Sequence, residues 1–204
     1  MADRKAVNPN GVAFVSASDA KDPVARLQSA LTEAGVKPAD VLRLTCYLSA
    51  VQDAASLRTA AATAFPGAAA NYVQMQRQGL EPEVHCEAVG RLSTAPPSAL
   101  TVKNGAALVN APKLVLTASQ LVFRDQDADF RLAYQRLGKA LGTQSADLKD
   151  VMWVSSFALT KPNAAKLDAV EKELLSQPHA GAAVQIEGLP STDATAAVEL
   201  IAVK

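Results

Sequence analysis

Apolar positions along this chain follow two periods, and the periods come in the same order twice. Residues 12–18 alternate as a short strand. Val24, Leu27, Ala30, Leu31 and Ala34 then recur at three-to-four spacing, the mark of a helix with one buried face. Residues 41–48 form a strongly apolar strand and 54–65 a second helix. Residues 72–92 read as two alternating strands joined by a turn, a closing hairpin. The order then restarts with a strand at 114–120. A helix carrying Phe130, Ala133, Tyr134, Leu137 and Leu141 follows, then an apolar strand at 151–159, a helix at 164–175 and a hairpin from 183 to the end. Gly35 and Gly142 stand where left-handed C-caps would end the first helix of each half.

The halves also match residue by residue. Asp40 pairs with Asp147, and Gln28 and Gly35 pair with Gln135 and Gly142 at the same separation. Val73 and Gln74 pair with Val184 and Gln185, and Glu87 with Glu199, at separations a few residues longer. Such a monotonic drift, accumulating where loops would sit, indicates an internal duplication. Pro96-Pro97 marks a linker at 94–98, between a first copy at 1–93 and a second at 99–204. Asn104-Gly105 sits at the centre of a hairpin that is expected to open the second copy. The first copy has only the polar stretch 1–11 in that place, so its own opening hairpin reads as truncated. In the last strand of the first copy, Val84, Cys86 and Ala88 point one way and His85, Glu87 and Val89 the other. The second copy repeats this with Glu199 at the place of Glu87. One face is therefore helix-covered, and the mixed face is expected to be buried against a subunit or the other copy.

Composition narrows the function. The 204 residues are 49% hydrophobic, enough for a sizeable core. Lys+Arg and Asp+Glu are both 20, so the basic surplus of nucleic-acid and anionic-membrane binders is missing. Aromatics at 4% give no base-stacking surface. No apolar run approaches the ~20 residues of a membrane helix, and the N-terminus lacks a signal-peptide core. A cytoplasmic location is expected, although a chain trimmed of its export signal would read the same. Cys46 and Cys86 read as two buried free thiols in a reducing cytosol. No G-x-S-x-G, P-loop or G-x-G-x-x-G motif occurs. A metal on Cys46, His85, Cys86 and Glu87 is disfavoured, because adjacent strand residues face opposite ways. Trp153 reads as core, His179 as an exposed loop residue, and Glu171, Lys172 and Glu173 as a solvated helix face.

The order strand–helix–strand–helix–hairpin, with "GVKPADVLRLTCYLS" and "EVHCEAVGRL" in these places, resembles the YjgF/RidA family. The resemblance spans nearly the whole chain, twice. It implies an α+β fold of two tandem chorismate-mutase-like domains, each a mixed sheet with two helices on one face. It implies homo-oligomers, trimers in the family, with small-molecule pockets in inter-subunit clefts. It also implies hydrolysis of reactive enamines and imines (2-imino acid deaminase chemistry) with no metal or organic cofactor. A ribonuclease activity linked to the family is disfavoured here by the neutral charge.

Carried over position by position, the family's site is largely absent. Its carboxylate-clamping arginine falls at Ala70 and Gly181, and its glutamate at His85 and Ala197. Its strand-end glycine falls at Ala17 and Ala118, and its helix asparagine at Arg58 and Asp168. A cleft with Arg58 as a relocated guanidinium, His85 as acid or base and Glu87 on the same strand face is the sharpest site available. The structural alternative makes Arg58 and Glu87 interface or surface charges and His85 a satisfied polar residue. The expected function is binding of small carboxylate or carbonyl metabolites by a catalytically altered member, with imine hydrolysis as the alternative. No nucleic-acid, membrane or cofactor partner is implied.

Overall fold

In a computed structural model of the chain, residues 10–18, 21–77 and 83–204 are described. The fold is α+β, with four α-helices on two mixed sheets among the described residues. The first part of the chain runs β1 (Val12–Ser18), α1 (Pro23–Glu33), β2 (Val36–Leu48), α2 (Ala54–Ala64), β3 (Ala69–Gln74) and β4 (Val84–Leu92). The hairpin strands β5 (Leu100–Lys103) and β6 (Ala106–Val109) follow. Next come β7 (Leu114–Leu116), β8 (Gln120–Phe123), α3 (Asp127–Gly142), β9 (Val151–Ala158), α4 (Lys161–Leu174), β10 (Ala180–Gln185) and β11 (Ala194–Val203).

The helices form where the spacing places them. Val24, Leu27 and Leu31 are the buried stripe of α1, and Phe130, Ala133, Tyr134, Leu137 and Leu141 that of α3. Asp22 caps α1 by accepting from the Ala25 N–H at 2.9 Å, and Thr160 caps α4 by accepting from Asn163. Gly35 is left-handed with φ +83°, as expected after α1. Gly142 instead remains helical as the last residue of α3, and the left-handed turn falls at Ser145 (φ 60°).

Sheet order corrects two expectations. The strands at 72–92 do not form a hairpin, because β2 lies between β3 and β4 in the order β3-β2-β4-β1-β6-β5. After β2, α2 crosses over and β3 returns parallel to β2, while β4 runs antiparallel on its other side. The second sheet repeats the pattern as β10-β9-β11, with β10 parallel to β9 and with β7 and β8 on the far side of β11. The β5–β6 hairpin, turned by Asn104 and Gly105 at positive φ, joins the first sheet and not the second. It pairs with β1 through β6, at the edge of β1 opposite β4.

Helices α1 and α2 cover one face of the first sheet, and α3 and α4 one face of the second. The uncovered faces pack against each other. Phe14, Ala107 and Val109 meet Met152, Trp153, Ala180 and Ala182, and Tyr47 and Met75 meet Val184. The expectation of a copy-to-copy interface is therefore met within one chain. Gln76 stitches the sheets at one end, its side-chain amide donating to the Leu159 and Ile186 carbonyls at 2.7 and 2.9 Å. Trp153 is buried between the sheets as read, with Nε1 donating to Ser155 Oγ at 3.0 Å.

The cysteines are a further correction. Cys46 and Cys86 face each other across β2 and β4, are fully buried and are joined as a disulfide. Strand register, invisible in composition, brings them together. The bond removes the basis of the cytosolic expectation, since disulfides persist in oxidising environments. Among the described residues, no helix is long and apolar enough to cross a membrane.

Candidate functional site

Period-two alternation positions the site. On β2, Leu44, Cys46 and Leu48 point into the helix-covered core, so Arg43, Thr45 and Tyr47 point to the inter-sheet face. On β4, Cys86 and Ala88 enter the same core, so His85 and Glu87 share the inter-sheet face. Register sets Tyr47 opposite His85 and Thr45 opposite Glu87, while Ser16 of β1 flanks Glu87 on the other side. The second sheet contributes Phe157, whose ring centroid lies 5.9 Å from that of Tyr47, and the carboxylate of Glu199.

Burial dominates the electrostatics. Glu87 is 7% exposed, and its desolvation raises its pKa above the ordinary carboxylate value. The charge of Arg43 and a 3.2 Å hydrogen bond from the Tyr47 hydroxyl act against that rise, and the charge of Glu199 reinforces it. Burial, with Glu87 beside it, also raises Tyr47, so the phenol stays protonated. His85 is lowered by desolvation, which favours neutral imidazole. Two polar atoms here are buried with no hydrogen-bond partner among the described residues, His85 Nε2 and Glu87 Oε2. The arrangement pairs a neutral imidazole with a carboxyl biased toward its protonated form, on one strand face, with a guanidinium at the exposed rim. It can donate to a carbonyl or imine, accept a proton from water, and hold a carboxylate.

Arg58 does not belong to this group. It is exposed on α2, with its guanidinium 5.4 Å from the centroid of the Tyr72 ring. Tyr72 pairs in register with Cys46 and packs on the helix-side core. His85 and Glu87 lie on the opposite face of that sheet, so the expected three-residue cleft is not assembled. The guanidinium near Glu87 is that of Arg43. The signal for it was present in the sequence, because Arg43, Thr45 and Tyr47 alternate with Leu44, Cys46 and Leu48. The position matching the family's arginine in the second half is closed to any side chain: a Cβ on Gly181 would lie 2.2 Å from the Val154 carbonyl oxygen.

Two further expectations are corrected. His179 is half-buried and bonded to Glu171 at 2.9 Å, a contact that raises its pKa. Glu171 also accepts from the Tyr134 hydroxyl at 3.3 Å, so it is not a solvated residue like its neighbours Lys172 and Glu173. No group of three or more His, Cys, Asp or Glu that could hold a metal occurs among the described residues.

No protein-family model and no curated protein matches the chain. It is similar in fold, over about half its length, to solved structures of the YjgF/RidA family. A YjgF/YER057c/UK114-family protein from Mycobacterium tuberculosis is 21% identical, with TM-score 0.43 over 48% of this chain and 83% of its own. E. coli TdcF with bound serine is 17% identical, with TM-score 0.41 over 55% and 91%. RidA from an Antarctic Psychrobacter is 21% identical, with TM-score 0.41 over 55% and 91%.

Proposed function

We propose that the chain is a tandem RidA-like protein whose two halves, 1–93 and 99–204 about a linker at 94–98, enclose a binding cleft for a small carbonyl- or carboxylate-bearing metabolite. The first half borrows the 100–109 hairpin. The observation that carries the reading is the pair of unpartnered buried atoms, His85 Nε2 and Glu87 Oε2. An unsatisfied buried polar atom costs about 1–3 kcal/mol, a cost that a ligand supplying the missing hydrogen bonds would recover. A protonated Glu87 would donate to a ligand carbonyl oxygen, and Arg43 would hold a carboxylate as a planar fork. The assembly we propose is a trimer of chains, with Val73 on β3 and Leu116 and Phe123 on β7 and β8 as exposed apolar edge residues for the neighbours. Light scattering reporting a single chain would reject the trimer without touching the binding reading.

The acid–base character of the pair supports imine hydrolysis as the second reading. Water would add to the C=N carbon, its proton passing to neutral His85 while Glu87 protonates the nitrogen; the imidazolium would then protonate the carbinolamine nitrogen, and ammonia would leave as the carbinol O–H proton returns to the Glu87 carboxylate and the C=O bond forms. Calorimetric titration with pyruvate and longer 2-oxo acids tests the binding. Arg43→Ala should weaken it about tenfold, the scale of a rim-exposed charged hydrogen bond, and Arg58→Ala should leave it unchanged. Loss in Arg58→Ala with none in Arg43→Ala would sink the assignment. A coupled assay, in which an amino-acid oxidase supplies 2-imino acids, separates binder from hydrolase.

A further inference from the structure

Three polar side chains of the second half stand where the first half is apolar. Tyr134 of α3, Glu171 of α4 and His179, the residue before β10, take the places of Leu27, Ala61 and Ala68. Strand register fixes the last match: Ala69 pairs with Arg43, which faces Val89, as Ala180 pairs with Trp153, which faces Ile201. Leu27 and Ala61 are buried in the first core, and Ala68 packs against it. An apolar set therefore suffices to seat a crossover helix on its sheet, and the polar set of the second half is not a requirement of the fold.

The polar set is a chain of hydrogen bonds. The buried Tyr134 hydroxyl donates to Glu171 Oε2 at 3.3 Å, and burial keeps the phenol protonated. Glu171 Oε1 lies 2.9 Å from His179 Nε2, and the Gln177 carbonyl oxygen lies 2.9 Å from His179 Nδ1. Both groups facing the ring are acceptors, so the geometry calls for a proton on each nitrogen, the imidazolium. The His179 and Glu171 side chains are 18% and 23% exposed, so solvent screens the pair weakly. The other charges on the packed helices have partners of their own: Asp168 of α4 is bonded to Lys172 and Arg131 of α3 to Glu173, each at 2.7 Å. Strands β9 and β10 carry no titratable side chain.

His179 sits where the second half grips the first. Residues 176–178 are exposed, between buried Leu175 and half-buried His179. Directly after His179, Ala180 and Ala182 pack with Phe14 and Ala107 between the sheets, and the Ser16 hydroxyl donates to the Gly181 carbonyl at 3.2 Å. We propose that His179 is a proton-operated clasp: its imidazolium pins the loop before β10 to α4 through Glu171 and so steadies the grip of β10 on the first half, and loss of the proton loosens it. The hydrogen bond to Glu171 raises the proton affinity of His179, with burial acting against it. The clasp is therefore closed below the ordinary imidazole value of 6.5 and opens as pH rises through the higher folded value. It does not depend on any ligand in the inter-sheet cleft.

The chain has two histidines, so an NMR titration of the ring Cε1–H signals follows both at once. His179 should titrate above 6.5 and His85, lowered by its burial, below it. Glu171→Gln keeps an acceptor but removes the charge, and should lower the His179 midpoint. Amide exchange at residues 179–182, corrected for its intrinsic pH dependence, reads the grip itself. Protection there should fall about three- to tenfold as pH rises through the His179 midpoint, the scale of one hydrogen bond. His179→Gln and Glu171→Gln should remove that step. The proposal is overturned if wild-type His179 titrates at or below 6.5, or if exchange at 179–182 crosses its midpoint without a step. It is equally overturned if Glu171→Gln leaves the midpoint where it was, or if the step survives in either variant. The wild-type measurements decide alone where circular dichroism shows a variant unfolded.

Discussion

The Cys46–Cys86 bond is the feature whose removal has the most calculable consequence. The two residues are register partners on the central strands of the first sheet, and their Cα atoms are 4.1 Å apart. Directly opposed antiparallel residues outside the hydrogen-bonded pairs approach this closely, which is what allows a bridge. The bond closes a loop spanning 40 residues of sequence, which contains α2 and β3. Chain-entropy arithmetic for a loop of that length gives about 13 cal/mol/K, or about 4 kcal/mol at 25 °C. In a chain of this size each kcal/mol moves the melting temperature by about 2–4 °C. Cys46→Ala with Cys86→Ala should therefore melt about 8–16 °C below the oxidised wild type. Both sulfurs are fully buried under α1 and α2, so reductant should act on the unfolded chain and hardly on the folded one. The assay is a pair of urea and thermal melts, with a thiol count on protein denatured without reductant. Two titratable thiols in that count would refute the bond. No thiols, with coincident melts for the oxidised and double-alanine proteins, would refute the entropy argument instead.

The buried pair of the candidate site predicts two opposite pH effects. Glu87 has a folded pKa above its unfolded value of about 4.5, so the folded state holds that proton more tightly. Its contribution is present below the unfolded value and is lost as pH rises through the folded one. Glu87→Gln should remove that decline in urea stability measured from pH 4 upward. His85 has a folded pKa below 6.5, so stability should fall as pH drops from there through the folded value, and His85→Gln should flatten that arm. An unchanged pH profile in either variant would contradict the burial assigned to it. Gly181→Arg, which restores the family's residue type, should cost about 3 kcal/mol or more by overpacking, because its Cβ meets the Val154 backbone at 2.2 Å. A stable, well-folded Gly181→Arg protein would disprove the close approach of β10 to β9. Trp153→Ala should cost about 3–5 kcal/mol in denaturant melts, since the ring is buried against Phe14 at the sheet-to-sheet contact.

Local features were legible and partner choice was not. The stripe of α3 and the Asn104-Gly105 turn each carry their signal within a few residues, through helical spacing and φ preference. Strand pairing is set by tertiary contacts, and alternation looks the same whichever neighbour a strand takes. That is why residues 72–92 read as a hairpin when β2 in fact separates β3 from β4. It is also why the 100–109 hairpin reads as part of the second copy although it joins the first sheet, and why the cysteines read as free. In the site, Glu87 and His85 were found because they share a face of one strand. Arg58 was misplaced because matching a helix position says which residue is there, not which side of the sheet the helix covers. Arg43 carries its signal in the alternation with Leu44 and Cys46, which fixes its side of the sheet.

The two halves differ most where they could do chemistry. Leu57 and Leu167 match and are buried in their respective cores. Glu87 and Glu199 match and approach each other between the sheets. Tyr47 and His85, however, are answered in the second half by Phe157 and Ala197, which pair in register as Tyr47 and His85 do. Phe157 has no hydroxyl to donate to Glu199, and Ala197 has no imidazole. A duplicated cleft with two equivalent sites would need both halves to keep these groups. The site proposed between the sheets would instead be asymmetric, with its donors and acceptors on the first sheet and an apolar wall on the second. On the helix side, Arg58 lies over Tyr72 in the first half, where the second half has Asp168 and Ala183. Leu57 and Leu167 thus keep the two cores alike, while the residues facing the other sheet differ between the halves at Tyr47 and Phe157 and at His85 and Ala197.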